Sequence, residues 1–432
     1  VAAEIRMRVT ELLRDPPAPP GPFRPGFWRS PLRGPWMTTV LGSLLLLGVT
    51  VVAVTGLLSH AAYEPGLGAN AIVPAGRDLP LTFTWPTSPA WLYALDQGLH
   101  VNVGLVTIPL LLAKLWSVIP RLFAWPPVAS AAEGLERLGI ALLVGSALFE
   151  FATGVVNMQN WYPFSFNFVV AHYYGAIVFI ASILLHVAIK LPVMRRAWRE
   201  RDGLAPLRAS LAQTVPEPPD EHGLVAAQPA APTISRRGLL GLVGVGSATL
   251  LVSNVGESIG GPLRGTALLA PRRTSGPGPN GFPVNKTARA ARITPAMTGD
   301  AWRLRLAAGS RSVVLSRADL LALELRTEEL PIACVEGWST SQHWEGVPLI
   351  ALARMVGGDR TSHVLVRSLQ KSGVLRRATL TRNQYADDRA LLALRVNGAD
   401  LSPDHGYPAR IIVPALPGVH TTKWVSDLRF GA

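Results

Sequence analysis

Four histidines, His60, His100, His172 and His186, lie in or beside long apolar stretches of the chain. Ionisable groups are costly there and are functional candidates by default. His172 and His186 form the sharpest pair. They are 14 residues apart in one stretch, so on a helix they fall within about 40° of each other and roughly 21 Å apart along the axis. One face then presents an imidazole near each membrane surface, as a di-haem cytochrome b requires; the plainer reading is a pair of hydrogen-bonded packing residues. Bis-histidine ligation closes the iron and suits electron transfer. His100 and His172 lie about nine and about six residues into their stretches from the same side, which matches their depth. His60 is shallower, and is either an alternative to His100 or a residue at the entrance of a quinone site. Glu150, inside another stretch, reads equally as a proton-path or quinone residue and as a buried hydrogen-bonding group.

The sole cysteine, Cys334, sits in Pro331-Ile332-Ala333-Cys334-Val335-Glu336-Gly337-Trp338-Ser339. A single cysteine excludes an intrachain disulfide framework and Cys-rich zinc or iron–sulfur sites. Alone, it reads most simply as a small buried hydrophobe.

The elements that must position these residues follow from composition. Of 432 residues, 49% are hydrophobic and 16% charged, against about 25% charged in soluble domains. This is a membrane protein with a soluble part attached. Five apolar stretches, near 37–58, 91–118, 138–156, 166–191 and 238–255, have about the length of a membrane span. Basic residues cluster before the first and after the fourth, which places the N-terminus in the cytoplasm and the chain after about Gly260 outside. Much of the net charge of +13 is therefore a topology signal with anionic membrane lipid as its partner, and a nucleic-acid function is not expected. Ser235-Arg236-Arg237-Gly238-Leu239-Leu240 reads either as a twin-arginine export signal or as a stop-transfer flank.

Residues 283–432 change to short alternating apolar runs, such as Trp302–Leu306, Ser312–Leu315, His363–Val366 and Ala409–Val413, with a turn at Asn397-Gly398. Short helices are expected over Ser316–Leu323 and Pro348–Met355, and His222 and His363 are expected to face solvent. The predicted order is a cytoplasmic segment (1–35), a four-helix transmembrane domain (36–195), a cytoplasmic linker (196–235), a fifth transmembrane helix (236–258), a linker (259–280) and a mainly-β α+β extracytoplasmic domain (281–432).

Two resemblances sharpen this. Thr55-Gly56, Leu99-His100, Thr153-Gly154, His172 and His186 resemble the cytochrome b subunits of formate dehydrogenases and hydrogenases. Pro35-Trp36 stands where that family has a His-Trp pair, so the resemblance implies one haem b, on the outer side, held by His100 and His172. A second haem at His186 would need another ligand. The block around Cys334, the run His405-Gly406-Tyr407-Pro408-Ala409-Arg410, and Gly418-Val419-His420-Thr421-Thr422-Lys423-Trp424 resemble the sulfite oxidase family of molybdenum enzymes. So does Phe282-Pro283-Val284-Asn285-Lys286.

That resemblance implies a molybdenum–pterin centre ligated by Cys334, with Asn285 and Glu336 beside the metal. Lys286, His405, Arg410, Gly418, His420, Thr422 and Lys423 would bind the cofactor, while His343 reads equally as a cofactor contact and as a surface residue. Glu336 resembles a glutamate near the metal in the bacterial methionine sulfoxide reductase branch. His420 replaces the usual basic residue, and Val335-Glu336-Gly337 replaces the basic residues that follow the cysteine in sulfite oxidases. The chain also ends without the family's usual dimerisation domain. The expected activity is oxygen-atom transfer on a small S- or N-oxide, with oxidation of a small sulfur compound as the reverse case. Electrons would be exchanged with the quinone pool through haem b, with a respiratory-chain protein as a further candidate partner. The alternative is a non-catalytic, cytochrome b-linked docking subunit with a degenerate molybdopterin domain.

Overall fold

The computed structural model describes residues 17–80, 83–126, 130–220, 223–273 and 276–431; His222 lies outside them. Five helices among these are long and apolar enough to cross a membrane. They are α1 (Pro35–Ala62), α2 (Leu92–Leu122), α3 (Ala131–Met158), α4 (Phe168–Glu200) and α5 (Arg236–Val252), the last followed by the short α6 (Val255–Ile259). The first four run beyond their apolar stretches at one end or both, because flanking residues continue the helix.

The chain forms two compact units, and they do not follow the sequential partition. One gathers the described residues up to Thr50, Gly104–Gly154 and Ala171–Leu250. The other gathers Val51–Val103, Val155–Val170 and Leu251–Ala432. In the first unit Trp36, Met37, Val40 and Leu41 pack against Ala113, Leu207, Leu239 and Leu240. The linker is docked there rather than loose: buried Glu217 accepts from the amides of Trp36 (3.0 Å) and Met37 (3.4 Å). A carboxylate at a helix N-terminus satisfies orphan donors and opposes the positive end of the helix dipole.

The second unit contains two five-stranded sheets. The first has the order β2 (Arg311–Leu315), β1 (Leu304–Ala308), β10 (Val425–Phe430), β5 (His363–Ser368), β6 (Arg377–Thr381), antiparallel except for β1 and β10. The second has the order β3 (Arg326–Ala333), β4 (Ser339–Pro348), β7 (Leu391–Val396), β8 (Ala399–Asp400), with β9 (Arg410–Ile412) also pairing β7. Asn397 and Gly398, both at positive φ, make the two-residue turn between β7 and β8. Ser316 and Asp319 close a capping box on the helix Arg317–Leu321, and the second expected helix is found at Leu349–Met355.

The run expected from Trp302 begins as a strand only at Leu304, since Trp302 is a buried anchor whose indole donates to Val425 O. The strands β3 and β4 were not expected. Their first halves, Arg-Thr-Glu-Glu and Ser-Thr-Ser-Gln-His, carry polar residues that mask the period-two pattern. The segment before α2 also joins this unit. Trp85 donates to Ala415 O, Asn70 exchanges two hydrogen bonds with Thr379, and Ala62, Trp85 and Tyr93 enter the core.

Candidate active site

Cys334 ends β3 and opens a tight turn into β4. Its amide donates to Trp338 O (2.9 Å), and Gly337 N donates back to Cys334 O (3.0 Å). Gly337 takes φ +104°, which a side chain would strain. The thiol is buried, and burial raises its pKa above the ordinary value, with the charge of Glu336 adding to the rise. It therefore stays protonated until a metal takes the proton's place.

A small, partly open cavity lies in front of the thiol. Asn285, Trp338, His405, Arg410, Gly418 and Lys423 line it, together with Phe282 and Ile332. Gly418 is required by close approach: its amide donates to Ala333 O, and a Cβ there would sit 2.7 Å from that same oxygen. His405 accepts from Ser402 Oγ at Nδ1 (2.8 Å) and donates from Nε2 to Phe282 O (3.2 Å). Burial and the nearby Arg410 and Lys423 lower its pKa to about 4, so it is neutral.

Two buried cations face this space. Arg410 donates to His405 O and to Thr421 O and Oγ1; Lys423 donates to the carbonyls of Lys286 and Asp404. Neither forms an ion pair among the described residues. Burial lowers both, Arg410 to about 9 and Lys423 well below its ordinary value. Burying an ion costs several kcal/mol, and hydrogen bonds to a charged group return roughly 1.5–3 kcal/mol each. An anion in the cavity would close the balance. Arg410 Nε, His420 Nδ1 and Thr422 Oγ1 are also buried without a partner. Among the described residues no group of three or more His, Cys, Asp or Glu is arranged to hold a metal. If a metal binds at Cys334, the described residues supply it the thiolate and no ready cluster of further His, Cys, Asp or Glu ligands. These features fit an anionic, metal-bearing pterin.

Residues 291–432 match the oxidoreductase molybdopterin binding domain. The C-terminal region is a sulfite oxidase-type molybdopterin-binding domain, preceded by five long apolar helices. The chain is 27% identical over 119 residues to the uncharacterised oxidoreductase YuiH of Bacillus subtilis, covering 27% of this chain and 59% of that protein. It is 31% identical over 86 residues to sulfite oxidase of Arabidopsis thaliana, covering 19% and 22%. It is 36% identical over 102 residues to an inducible NADH nitrate reductase of Glycine max, covering 21% and 11%. The chain therefore spans less than two thirds of each of these relatives. Asn285 and Lys286 precede the matched residues, and Asn285 nonetheless lines the cavity.

Not every expected residue faces the cavity. Lys286 presents its carbonyl to Lys423, while its ammonium lies toward Gly373. His420 stands behind, its ring edge against Tyr63 at 5.4 Å. His343 is exposed on β4 beside the buried Trp344, so strand alternation turns it away from the interior. Glu336 has partners of its own. It is buried outside the lining, ion-paired to Arg272 Nε (2.7 Å), and accepts from Trp338 Nε1 (2.9 Å). Arg272 thus compensates its charge. Arg272 was missed because it lies in a Gly/Pro-rich stretch with no motif around it.

The helical histidines have their own partners. His100 Nδ1 donates to Val52 O (3.0 Å) and lies 3.2 Å from Thr55 Oγ1. His172 Nδ1 lies 3.0 Å from Thr153 Oγ1 and 3.1 Å from Glu150 Oε2. A carbonyl or carboxylate acceptor fixes the proton on Nδ1 and leaves the lone pair on Nε2. Gly56 and Gly154 sit against the two rings, a built Cβ lying 3.0 and 3.8 Å from Cε1. His60 Nε2 pairs with Asp78 at 2.9 Å. His186 stands in the field of Lys114, Lys190, Arg121 and Glu136.

Proposed function

We propose that this chain is a membrane-bound molybdenum-cofactor oxidoreductase that removes an oxygen atom from a small S- or N-oxide and draws two electrons through haem b from quinol, which is oxidised to quinone with release of two protons. The carrying observation is the buried Cys334 thiol facing a cavity that holds two buried cations, Arg410 and Lys423, with no carboxylate of their own. When bound, the molybdenum–pterin centre would supply two-electron oxygen-atom transfer. The balance is oxide plus two electrons and two protons to reduced product plus water.

The residues divide the remaining work. Cys334 would hold the metal as a thiolate. Arg410 and Lys423 would bind the anionic phosphate of the pterin, with Gly418 and Gly406 admitting it closely. Asn285 would orient the oxide at the cavity mouth. With those cations committed, no further Lys or Arg remains among the described residues that line the cavity, which favours a neutral oxide.

In the helices, His100 and His172 would ligate haem b. The support is the repeated arrangement in which a Thr-Gly pair seats each ring and the proton is fixed on Nδ1, as metal-bound imidazoles require. His186 among cations lacks such a seat, and His60 spends Nε2 on Asp78. The N-terminus would face the cytoplasm and the molybdopterin domain the opposite side, with anionic lipid at the basic flanks. The test is molybdenum, pterin and haem content of detergent-purified protein, with a reduced-minus-oxidised spectrum and a screen of neutral S- and N-oxides. Molybdenum without a b-type spectrum would remove the haem step alone.

A further inference from the structure

We propose that the ends of the membrane-length helices form the rear wall of the molybdenum site, with Gln97 and Ser258 as positioning residues for the Cys334 loop. This rests on the reading of Cys334 as the metal ligand.

Two hydrogen-bond relays converge on the loop from behind. In the first, Gln97 on α2 donates from Nε2 to Val335 O at 3.0 Å. Its orientation is fixed, because Oε1 accepts from Ser59 Oγ (3.1 Å) on α1 and Tyr93 OH (3.4 Å). In the second, Asn254 donates to Asn102 Oδ1 (3.0 Å), Asn102 donates to Ser258 Oγ (2.8 Å), and Ser258 donates to Gly337 O (2.7 Å). Ser339 Oγ returns a bond to Ser258 O. The two relays end on carbonyls on either side of Glu336, which Arg272 holds from a third direction. Val101 closes the gap, lying 3.0 Å from where Gly337 would carry a Cβ.

Buried amides and hydroxyls on helices of this kind are expensive unless paired. Gln97, Asn102 and Asn254 are all buried, and their bonds run along the relays to the loop. A ligand held within a fraction of an ångström needs such a supporting shell. The loop that carries the thiol is thus seated on the helices rather than on the β sheets alone.

Cys334 is the only cysteine, so alkylation reads the loop without ambiguity. The experiment uses full-length protein in detergent, made without cofactor, and measures the alkylation rate of Cys334 in wild type, Gln97→Met, Ser258→Ala and an exposed control, Ser312→Ala. The loaded forms are compared by the paramagnetic resonance of molybdenum(V). Gln97→Met and Ser258→Ala should each raise alkylation about five- to tenfold, the opening expected from one lost hydrogen bond, and shift the molybdenum(V) signal; Ser312→Ala should change neither. Either variant suffices if the other fails to fold. Alkylation within twofold of wild type in both folded variants overturns the proposal. Raised alkylation in protein that never takes up molybdenum instead overturns the reading of Cys334 as a metal ligand.

Discussion

The cavity has two walls of different origin. The front wall, with His405, Arg410, Gly418 and Lys423, comes from one stretch around β9 and the approach to β10. The rear support, with Gln97, Ser258 and Arg272, comes from two stretches far from each other and from the front wall, one at Gln97 and one over 258–272. The front wall supplies charge for an anionic group. The rear supplies hydrogen bonds and one ion pair that hold the thiol loop in place. On the proposed function, the difference teaches that binding a cofactor and placing its metal ligand would be separate tasks, assigned to separate regions.

The largest expected effect is at the rear. Arg272→Leu leaves Glu336 buried and unpaired, at a cost of roughly 3–5 kcal/mol. Thermal unfolding should show a large drop, and adding Glu336→Gln should recover most of it. An undiminished midpoint in Arg272→Leu would show that the pair carries no structural role. At the front, Arg410→Leu removes charge from the cavity without touching the loop. Pterin retention through purification should fall about 10- to 100-fold, the equivalent of one or two charge-assisted bonds, while Cys334 alkylation in cofactor-free protein stays at the wild-type rate. If both change together, the two walls are not separable.

A smaller effect distinguishes the walls by pH. Burial lowers His405 and His420 to about 4 from an ordinary value of 6.5. At these two rings the unfolded chain binds more protons than the folded one across this window. Their contribution is full above about pH 6.5 and is lost as pH falls toward about 4. Between about pH 6.5 and about 4 the cofactor-free wild type should therefore lose more of its unfolding midpoint than a His405→Gln variant. Identical pH profiles in the two proteins would mean that His405 is protonated in the fold.

The same contrast explains what was legible in the sequence. The front wall is made of contiguous residues, so glycines, a histidine and basic residues at short spacing could be read together. The apolar stretches announced the helices by composition. The rear support had no local pattern: Arg272 sits among glycines and prolines, and Ser258 follows an apolar run. One signal was present. Gln97, Asn102 and Asn254 are amides in helices otherwise rich in aliphatic residues, and such residues call for partners. His343 misled because strand alternation, not proximity to Cys334, decides which way a side chain faces.

The account turns on Cys334 as a metal ligand. The most direct test is molybdenum and haem stoichiometry of purified full-length protein from a cofactor-competent host, wild type beside Cys334→Ser. The account predicts about one molybdenum and one b-type haem per chain in the wild type, with molybdenum lost and haem kept in the variant. Haem without molybdenum in the wild type, or equal molybdenum in both, would contradict it.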